Sequence, residues 1–301
     1  MGNFIIEKYK EYEIKEIQSG YRCKTFLLTK ENSKLIYQVY LGNTKYQAKK
    51  KAYITNLIKN NTEVNEIPNI IDYSENKEFA YLVTEYKEGT ELNDIDKKIF
   101  NSKVFYENLA NILLKIHSAE VGNKFGWIGE DGLEEKEYFY EYIEYEITRN
   151  LKRIEENCND KEIVSEIKNK AENTLERIKK FKYLKPAILW YDINEKNIII
   201  NNDSQIIGFI DAGGARFGPK EWDIAFIKMD LCRNKKEFEI FEKTYLKESK
   251  IDEELLGLLD VIVEIDDIAF QLSSLDKLPI AYDSCFRDII EKIQKEILWG
   301  K

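Results

Sequence analysis

Residues 187–223 read AILWYDINEKNIIINNDSQIIGFIDAGGARFGPKEWD, and this stretch decides how the rest of the chain is understood. An apolar run, Ala187 to Trp190, leads directly into Asp192. Asn197 opens a predicted strand over 197–200, Asn201, Asn202, Asp203 and Ser204 make a turn, and a second strand returns over 206–210. Asp211 ends that hairpin, before Ala212, Gly213 and Gly214. Buried strands with polar residues at their ends present those side chains at a rim. Asp192, Asn197 and Asp211 can therefore share one cleft. Phosphoryl transfer needs positioning, neutralised phosphate charge and somewhere for a hydroxyl proton to go. Asp192 suits the last task, while the Asp211 carboxylate and the Asn197 carbonyl are hard ligands for magnesium. The bare spacing Asp-x-x-x-x-Asn also fits a pair of turn residues.

The 301 residues suit one large domain or a two-lobed one. Hydrophobic residues make up 43% and aromatics 13%, enough for a substantial core. A net charge of −9 argues against a general nucleic-acid binder and is compatible with a cationic ligand. Cys23, Cys158, Cys232 and Cys285 form no CxxC pair, so reduced thiols in a cytoplasmic protein are expected, and zinc is not. No secretion-like leader or membrane-spanning apolar run is seen.

Working outward from the hairpin, residues 21–29 and 34–41 are β-branched and aromatic runs around a polar turn. Residues 44–60 read as a helix with Lys51, Ile54 and Ile58 on one face. Residues 79–86 form another predicted strand, ended by Lys87-Glu88-Gly89. Beyond it the pattern is helical: a stripe from Leu109 to His117, then 138–156, 161–182, 235–247, 252–273 and 283–298. The expected architecture is α+β: residues 1–86 as a β-rich lobe and 87–301 as a helical lobe.

Residues 192–197 (DINEKN) resemble the catalytic loop of the aminoglycoside phosphotransferase family, which includes choline-kinase-like enzymes and shares the protein-kinase fold. Ile210-Asp211 is similar to that family's metal-binding segment, and residues 218–223 to the loop that follows it. Residues 109–117 resemble a helix ending in Leu-His, 85–89 an adenine-holding hinge, and Ser19-Gly20 the start of a nucleotide-covering loop. The resemblance implies a bilobal fold, ATP or GTP as co-substrate with magnesium, and a small cationic hydroxyl-bearing acceptor, foremost an aminoglycoside antibiotic. It implies Asp192 as base, Asn197 and Asp211 at the metal, and Asp223 as a brace for the loop. Ser19, Gly20, Glu85 and Tyr86 fall on the nucleotide side. No nucleic-acid or membrane partner is implied, and a monomer is expected.

Three positions depart from the pattern. Trp190-Tyr191-Asp192 stands where His-Gly-Asp is usual, so the Trp190 ring and indole N–H are expected to replace the histidine's support. Gln38 fills the strand position of the phosphate-binding lysine, and Lys51 that of its glutamate partner. The charge is expected to have moved to Lys51, with Gln38 hydrogen-bonding it; Lys24 is the other candidate. His117 is expected to be a hydrogen-bonded helix-end residue. Asp230, Asp266 and Asp267 are candidate contacts for an amine-bearing substrate, the last two because Ile265, Ile268 and Phe270 surround them. The segment 134–146 is acidic and aromatic but reads best as a solvated helix face. A choline, amino-sugar or hydroxylated amino-acid kinase is an alternative, as is a nucleotide-binding pseudokinase.

Overall fold

A computed structural model describes residues 5–19, 23–96, 98–127, 136–232 and 234–274. In chain order the main elements are β1 (Glu13–Ser19), β2 (Lys24–Lys30), β3 (Ser33–Leu41), α1 (Tyr46–Asn61), β4 (Ile70–Glu75), β5 (Phe79–Glu85) and β6 (Thr90–Glu91). Then come α2 (Ser102–His117), β7 (Gly126–Trp127), α3 (Phe139–Asn157), α4 (Lys161–Ile178), β8 (Ala187–Leu189), β9 (Ile198–Ile200) and β10 (Ile206–Phe209). The described part ends with β11 (Arg216–Gly218), α5 (Glu221–Phe226), α6 (Lys235–Tyr245) and α7 (Glu253–Ser274). Two compact units result: Met1–Glu137 with Leu184–Asp252, and Tyr138–Tyr183 with Glu253–Lys301.

In the first unit β1 to β5 form an antiparallel sheet in the order β1-β2-β3-β5-β4. The β2–β3 turn shrinks to Glu31 and Asn32, because Lys30 pairs with Ser33 and Glu31 takes a left-handed conformation at φ 53°. Alternation assigns the two faces of β3. Tyr37 and Val39 pack with Phe26, Leu28, Phe79, Tyr81 and Val83 on one side. Tyr40 packs with Ala48 and Ala52 of α1 on the other. Gln38 shares the face of Tyr40, which turns it toward α1. The helix buries Ile54 and Ile58 completely, and Lys51 on the same stripe is only 7% exposed.

The hairpin of the decisive stretch is β9–β10, with Ile206 opposite Ile200 and a bulge between Ile206 and Gly208. Asn197 does not open β9 as expected; it closes a 3-10 turn, Glu195–Asn197, capped by the Asn194 side chain. The hinge-like segment lies against this hairpin, since β6 pairs with β9. Gly89 allows that approach: a Cβ there would meet the Ile200 carbonyl oxygen at 2.6 Å. β11 was not anticipated. It joins β8 and β7 in a small antiparallel sheet that fixes both ends of the segment between them.

The second unit holds α3, α4 and α7. Asp160 caps α4 by accepting from the Glu162 and Ile163 N–H groups. The α3–α7 contact contains a polar strip in which Asn150 donates to Asp266 at 2.8 Å. The helix expected over 283–298 and Cys285 lie outside the described residues.

Candidate active site

The site is anchored by a carboxylate with no exposure at all, that of Asp223 on α5. Its Oδ2 accepts the Trp190 N–H at 2.8 Å and its Oδ1 the Tyr191 N–H at 2.8 Å. His117, at the end of α2, is 3.1 Å from the same Oδ2 through Nε2, and its Nδ1 is 2.7 Å from the Tyr245 hydroxyl. A proton on Nε2 satisfies every member, with Tyr245 donating to Nδ1. The network ties α2, α5 and α6 to the two residues before Asp192. Tyr191 is held at φ 69°, a conformation that costs a non-glycine residue about 1 kcal/mol or more. Trp190 packs on Phe209 with ring centroids 4.6 Å apart. Its indole N–H meets no acceptor, so only the packing part of the histidine's expected replacement is found.

Beyond this anchor, Asn194 donates to the Asp192 Oδ1 at 2.6 Å and the Asn197 side-chain N–H donates to the Asp192 carbonyl at 3.0 Å. That bond orients the Asn197 amide and leaves its oxygen as the acceptor end. The Ile210 N–H donates to the Asn197 carbonyl at 2.9 Å, bringing the start of β9 beside Asp211. Asp211 itself is left-handed at φ 65°, and its Oδ1 accepts the Gly213 N–H at 3.0 Å. The two glycines that follow are pressed against the acidic residues. A Cβ on Gly214 would lie 2.9 Å from the Asp192 Cβ, and one on Gly213 would lie 2.8 Å from the Asp211 Oδ1. Asp192 opens to solvent. Even so, the protein packed around it and then the Asp211 charge push its carboxyl above the usual range, while its asparagine partners pull it down.

Lys51 completes the cluster. Its Nζ is 2.9 Å from the Asp211 Oδ1 and 5.3 Å from the centre of the Tyr40 ring. Burial works against its charge, but Tyr40 and Asp211 outweigh that and raise its pKa. Gln38 does not bond Lys51 as expected. Its Oε1 accepts from the Tyr40 hydroxyl at 3.0 Å, and Tyr40 is the residue in contact with the ammonium. Gln38 is therefore one step removed, since Gln38 and Tyr40 alternate on one face of β3. Lys24 is exposed and shares the opposite face with Phe26 and Leu28, away from this group.

The other sequence candidates are less gathered. Ser19 ends β1, and Gly20 lies outside the described residues. Glu85 is committed to its neighbours: its N–H goes to the Asn69 carbonyl, and its carboxylate accepts from Asn69 and Lys87. Tyr86 lies under Lys34, 5.3 Å from ring centre to Nζ. Asp230 is exposed in a π-helical turn, Ile227–Leu231, that continues α5. Asp266 and Asp267 are half-buried on α7 with Ile265 and Ile268, and Asp267 accepts from Gln271 at 2.6 Å. Phe270 does not enclose them; it is 63% exposed. Sequence reasoning passed over Tyr40 and Arg216. Tyr40 was detectable from its two-residue spacing to Gln38. Arg216 was detectable as a lone cation in an apolar run.

Asp211 and the Asn197 amide supply hard oxygen donors, which fit magnesium when phosphate and water oxygens complete its shell. Among the described residues no group of three or more His, Cys, Asp or Glu could hold a metal ion.

An antiparallel sheet followed by helices, with a loop–hairpin–loop that gathers Asp192, Asn197 and Asp211, defines a protein-kinase-like phosphotransferase architecture. The model of the phosphotransferase enzyme family matches residues 13–249, and the chain belongs to that family. No curated protein matches the sequence. Among solved structures, the GDP complex of aminoglycoside 2'-phosphotransferase-IIIa is similar at TM-score 0.70 and 12% identity, over 95% of this chain and 94% of that one. A putative fructosamine-3-kinase from Haemophilus somnus is similar at TM-score 0.67 and 16% identity, over 94% and 92%. Aminoglycoside phosphotransferase APH(4)-Ia, in complex with AMP-PNP and hygromycin B, is similar at TM-score 0.67 and 15% identity, again over 94% and 92%.

Proposed function

We propose that this phosphotransferase moves the γ-phosphoryl group of ATP or GTP to a hydroxyl of a small cationic molecule, with an aminoglycoside as the leading acceptor. The observation that carries the reading is the convergence of Asp192, Asp211 and Lys51 on the Gly213–Gly214 turn, with Lys51 bonded to Asp211 at 2.9 Å. Asp192 orients the acceptor hydroxyl and takes its proton, with Asn194 and Asn197 holding its carboxylate and its backbone in place. Asn197 and Asp211 would hold magnesium, which neutralises phosphate charge when bound. Lys51 supplies the positive charge that Gln38 cannot, and Tyr40 and Gln38 hold it in place. Ser19, Glu85 and Tyr86 are the described candidates for the nucleotide side. Trp190 and Asp223 keep the loop in position. Asp230, Asp266 and Asp267 are the candidates for amine recognition.

The chain's net charge of −9 supports a cationic acceptor. Two of the similar proteins were crystallised with nucleotides, and one of these also with hygromycin B. Similarity to a putative fructosamine-3-kinase favours keeping a second acceptor class, the amino sugars and glycated amines. The test is a product-mass and phosphate-release screen with ATP and GTP against aminoglycosides, choline, amino sugars and glycated amines. A phosphorylated aminoglycoside, lost in Asp192→Ala, is the expected result. Nucleotide binding without product from any of these acceptor classes would favour the pseudokinase alternative.

A further inference from the structure

Arg216, at the start of β11, is a buried cation, 3% exposed, that meets three aromatic rings. Its guanidinium carbon lies 3.1 Å from the centre of the Tyr191 ring, 4.7 Å from that of Trp127 and 5.4 Å from that of Trp222. Its Nε is 3.4 Å from the Gly214 carbonyl. Tyr191 is further enclosed by edge contacts with Trp222 and Phe226, at 5.4 and 4.3 Å between ring centres. A second buried cation, Lys50 of α1, places its Nζ 3.5 Å from the centre of the Trp127 ring. Trp127 thus meets two buried cations, and one of them, Arg216, also meets Tyr191.

Both Tyr191 and Lys50 adjoin the site. Tyr191 directly precedes Asp192, and Gly214 packs on the Asp192 Cβ, so Arg216 touches Asp192's support from two sides. Lys50 directly precedes Lys51, the partner of Asp211. Successive residues on a helix are about 100° apart, so α1 can turn Lys50 to the Trp127 ring and Lys51 to Asp211. A guanidinium plane on an aromatic face is attractive by about 0.5–2 kcal/mol, more when water is excluded. Tyr191 is in a left-handed conformation that its surroundings must enforce.

We propose that Arg216 is a positioning residue for phosphoryl transfer: by clamping the Tyr191 ring and the Gly214 carbonyl it sets the place of Asp192, and through Trp127 and Lys50 it registers that loop with the helix carrying Lys51. This rests on the phosphotransferase reading above. The clamp acts on the loop and not on the nucleotide, so its loss should lower kcat and spare the nucleotide KM. A misplacement of about 1 Å at such a site costs up to about 10²-fold in rate. Lysine retains the charge of arginine but not its planar stack, so Arg216→Lys should rescue little.

The experiment compares Arg216→Gln, Arg216→Lys, Tyr191→Leu and Tyr191→Phe with the native chain in kcat, nucleotide KM and amide hydrogen exchange across residues 190–197. Expected are a kcat lower by about 10- to 10²-fold in Arg216→Gln and Tyr191→Leu, a smaller loss in Tyr191→Phe, and faster exchange confined to 190–197. The Arg216→Gln/Tyr191→Leu double variant should be little worse than either single one, because both remove the same contact. Additive losses, full rescue by lysine, or exchange at 190–197 unchanged in both Tyr191→Leu and Arg216→Gln would overturn the clamp. If the buried arginine variants do not fold, the Tyr191 pair alone decides: equal kcat and equal exchange in Leu and Phe overturn it. A native chain that phosphorylates no acceptor would instead reject the phosphotransferase reading, and the exchange data would still judge whether Arg216 holds the loop.

Discussion

Lys51 on α1 and Asp211 at the end of the β9–β10 hairpin are joined by a 2.9 Å ion pair, although 160 residues separate them in the chain. β3 carries Gln38 where the resemblance places a lysine, while Lys51 of the helix pairs with the carboxylate proposed to face magnesium and phosphate.

Removing that cation takes a positive charge from beside two neighbouring carboxylates, Asp192 and Asp211. Lys51→Met should weaken nucleotide binding and lower turnover by about 10²- to 10³-fold, the scale seen when one stabilising group at a charged transition state is lost. Lys51→Glu should be worse, and adding Gln38→Lys to it should recover part of the loss by restoring a strand lysine with a helix glutamate. Nucleotide titration and steady-state rates read both effects. Unchanged values in Lys51→Met would end the idea that the charge moved.

Gly214 has no room for a side chain on its Asp192 side. An added Cβ would stand 2.9 Å from the Asp192 Cβ, too close for any real Cβ, and 3.2 Å from its backbone nitrogen, a tight contact. Gly214→Ala should displace the aspartate and reduce kcat by about 10²-fold while leaving the nucleotide KM near its native value. A variant with native kcat would show that the aspartate's position does not limit the reaction.

Asp223 accepts from two backbone N–H groups and lies 3.1 Å from His117, all buried or nearly so. Asp223→Ala strands these donors at a cost of about 1–3 kcal/mol for each one left unsatisfied. Asp223→Asn keeps one acceptor oxygen and should lose less. Urea denaturation midpoints for the two variants should therefore rank native above Asn above Ala. Equal midpoints for Asn and Ala would mean that the carbonyl oxygen contributes nothing.

Asp72 on β4 gives a pH dependence whose sign follows from its surroundings. Burial alone would raise its carboxyl, but hydrogen bonds from Lys8 and Tyr9, both 2.9 Å long, hold it below its unfolded value of 3.8. A group with a depressed folded pKa binds fewer protons in the native state there. Its stabilisation is complete above the unfolded pKa and disappears as pH falls through the lower, folded one. Asp72→Asn should thus lose stability relative to native at pH 7, and the gap should close in strongly acidic solution. A gap independent of pH, by denaturant titration at both ends, would contradict this.

Much of the molecule could be read locally. The apolar stripe ending at His117 became α2, and the β2–β3 hairpin and α1 fell within a few residues of their predicted bounds. β1 and β4 were missed because each is an edge strand with a register irregularity and half-solvated residues, so apolar alternation is weak. β11 was hidden by its three-residue length and its glycine. Within the site, the order Asp192, Asn197, Asp211, Asp223 was legible because loop, hairpin and turn are all local in sequence.

The chain alone determined the chemical inventory, oxygen donors at the ends of short strands and a neutral Gln38 where a lysine was expected. It also determined, through the period of α1, that Lys51 faces inward with Ile54 and Ile58. Only the tertiary structure decided that Lys51 meets Asp211, that Tyr40 stands between it and Gln38, and that Arg216 lies on Tyr191. Helical and strand periods specify which way a side chain leaves its own backbone. What it touches there depends on packing between elements far apart in the chain, about which local spacing carries no information.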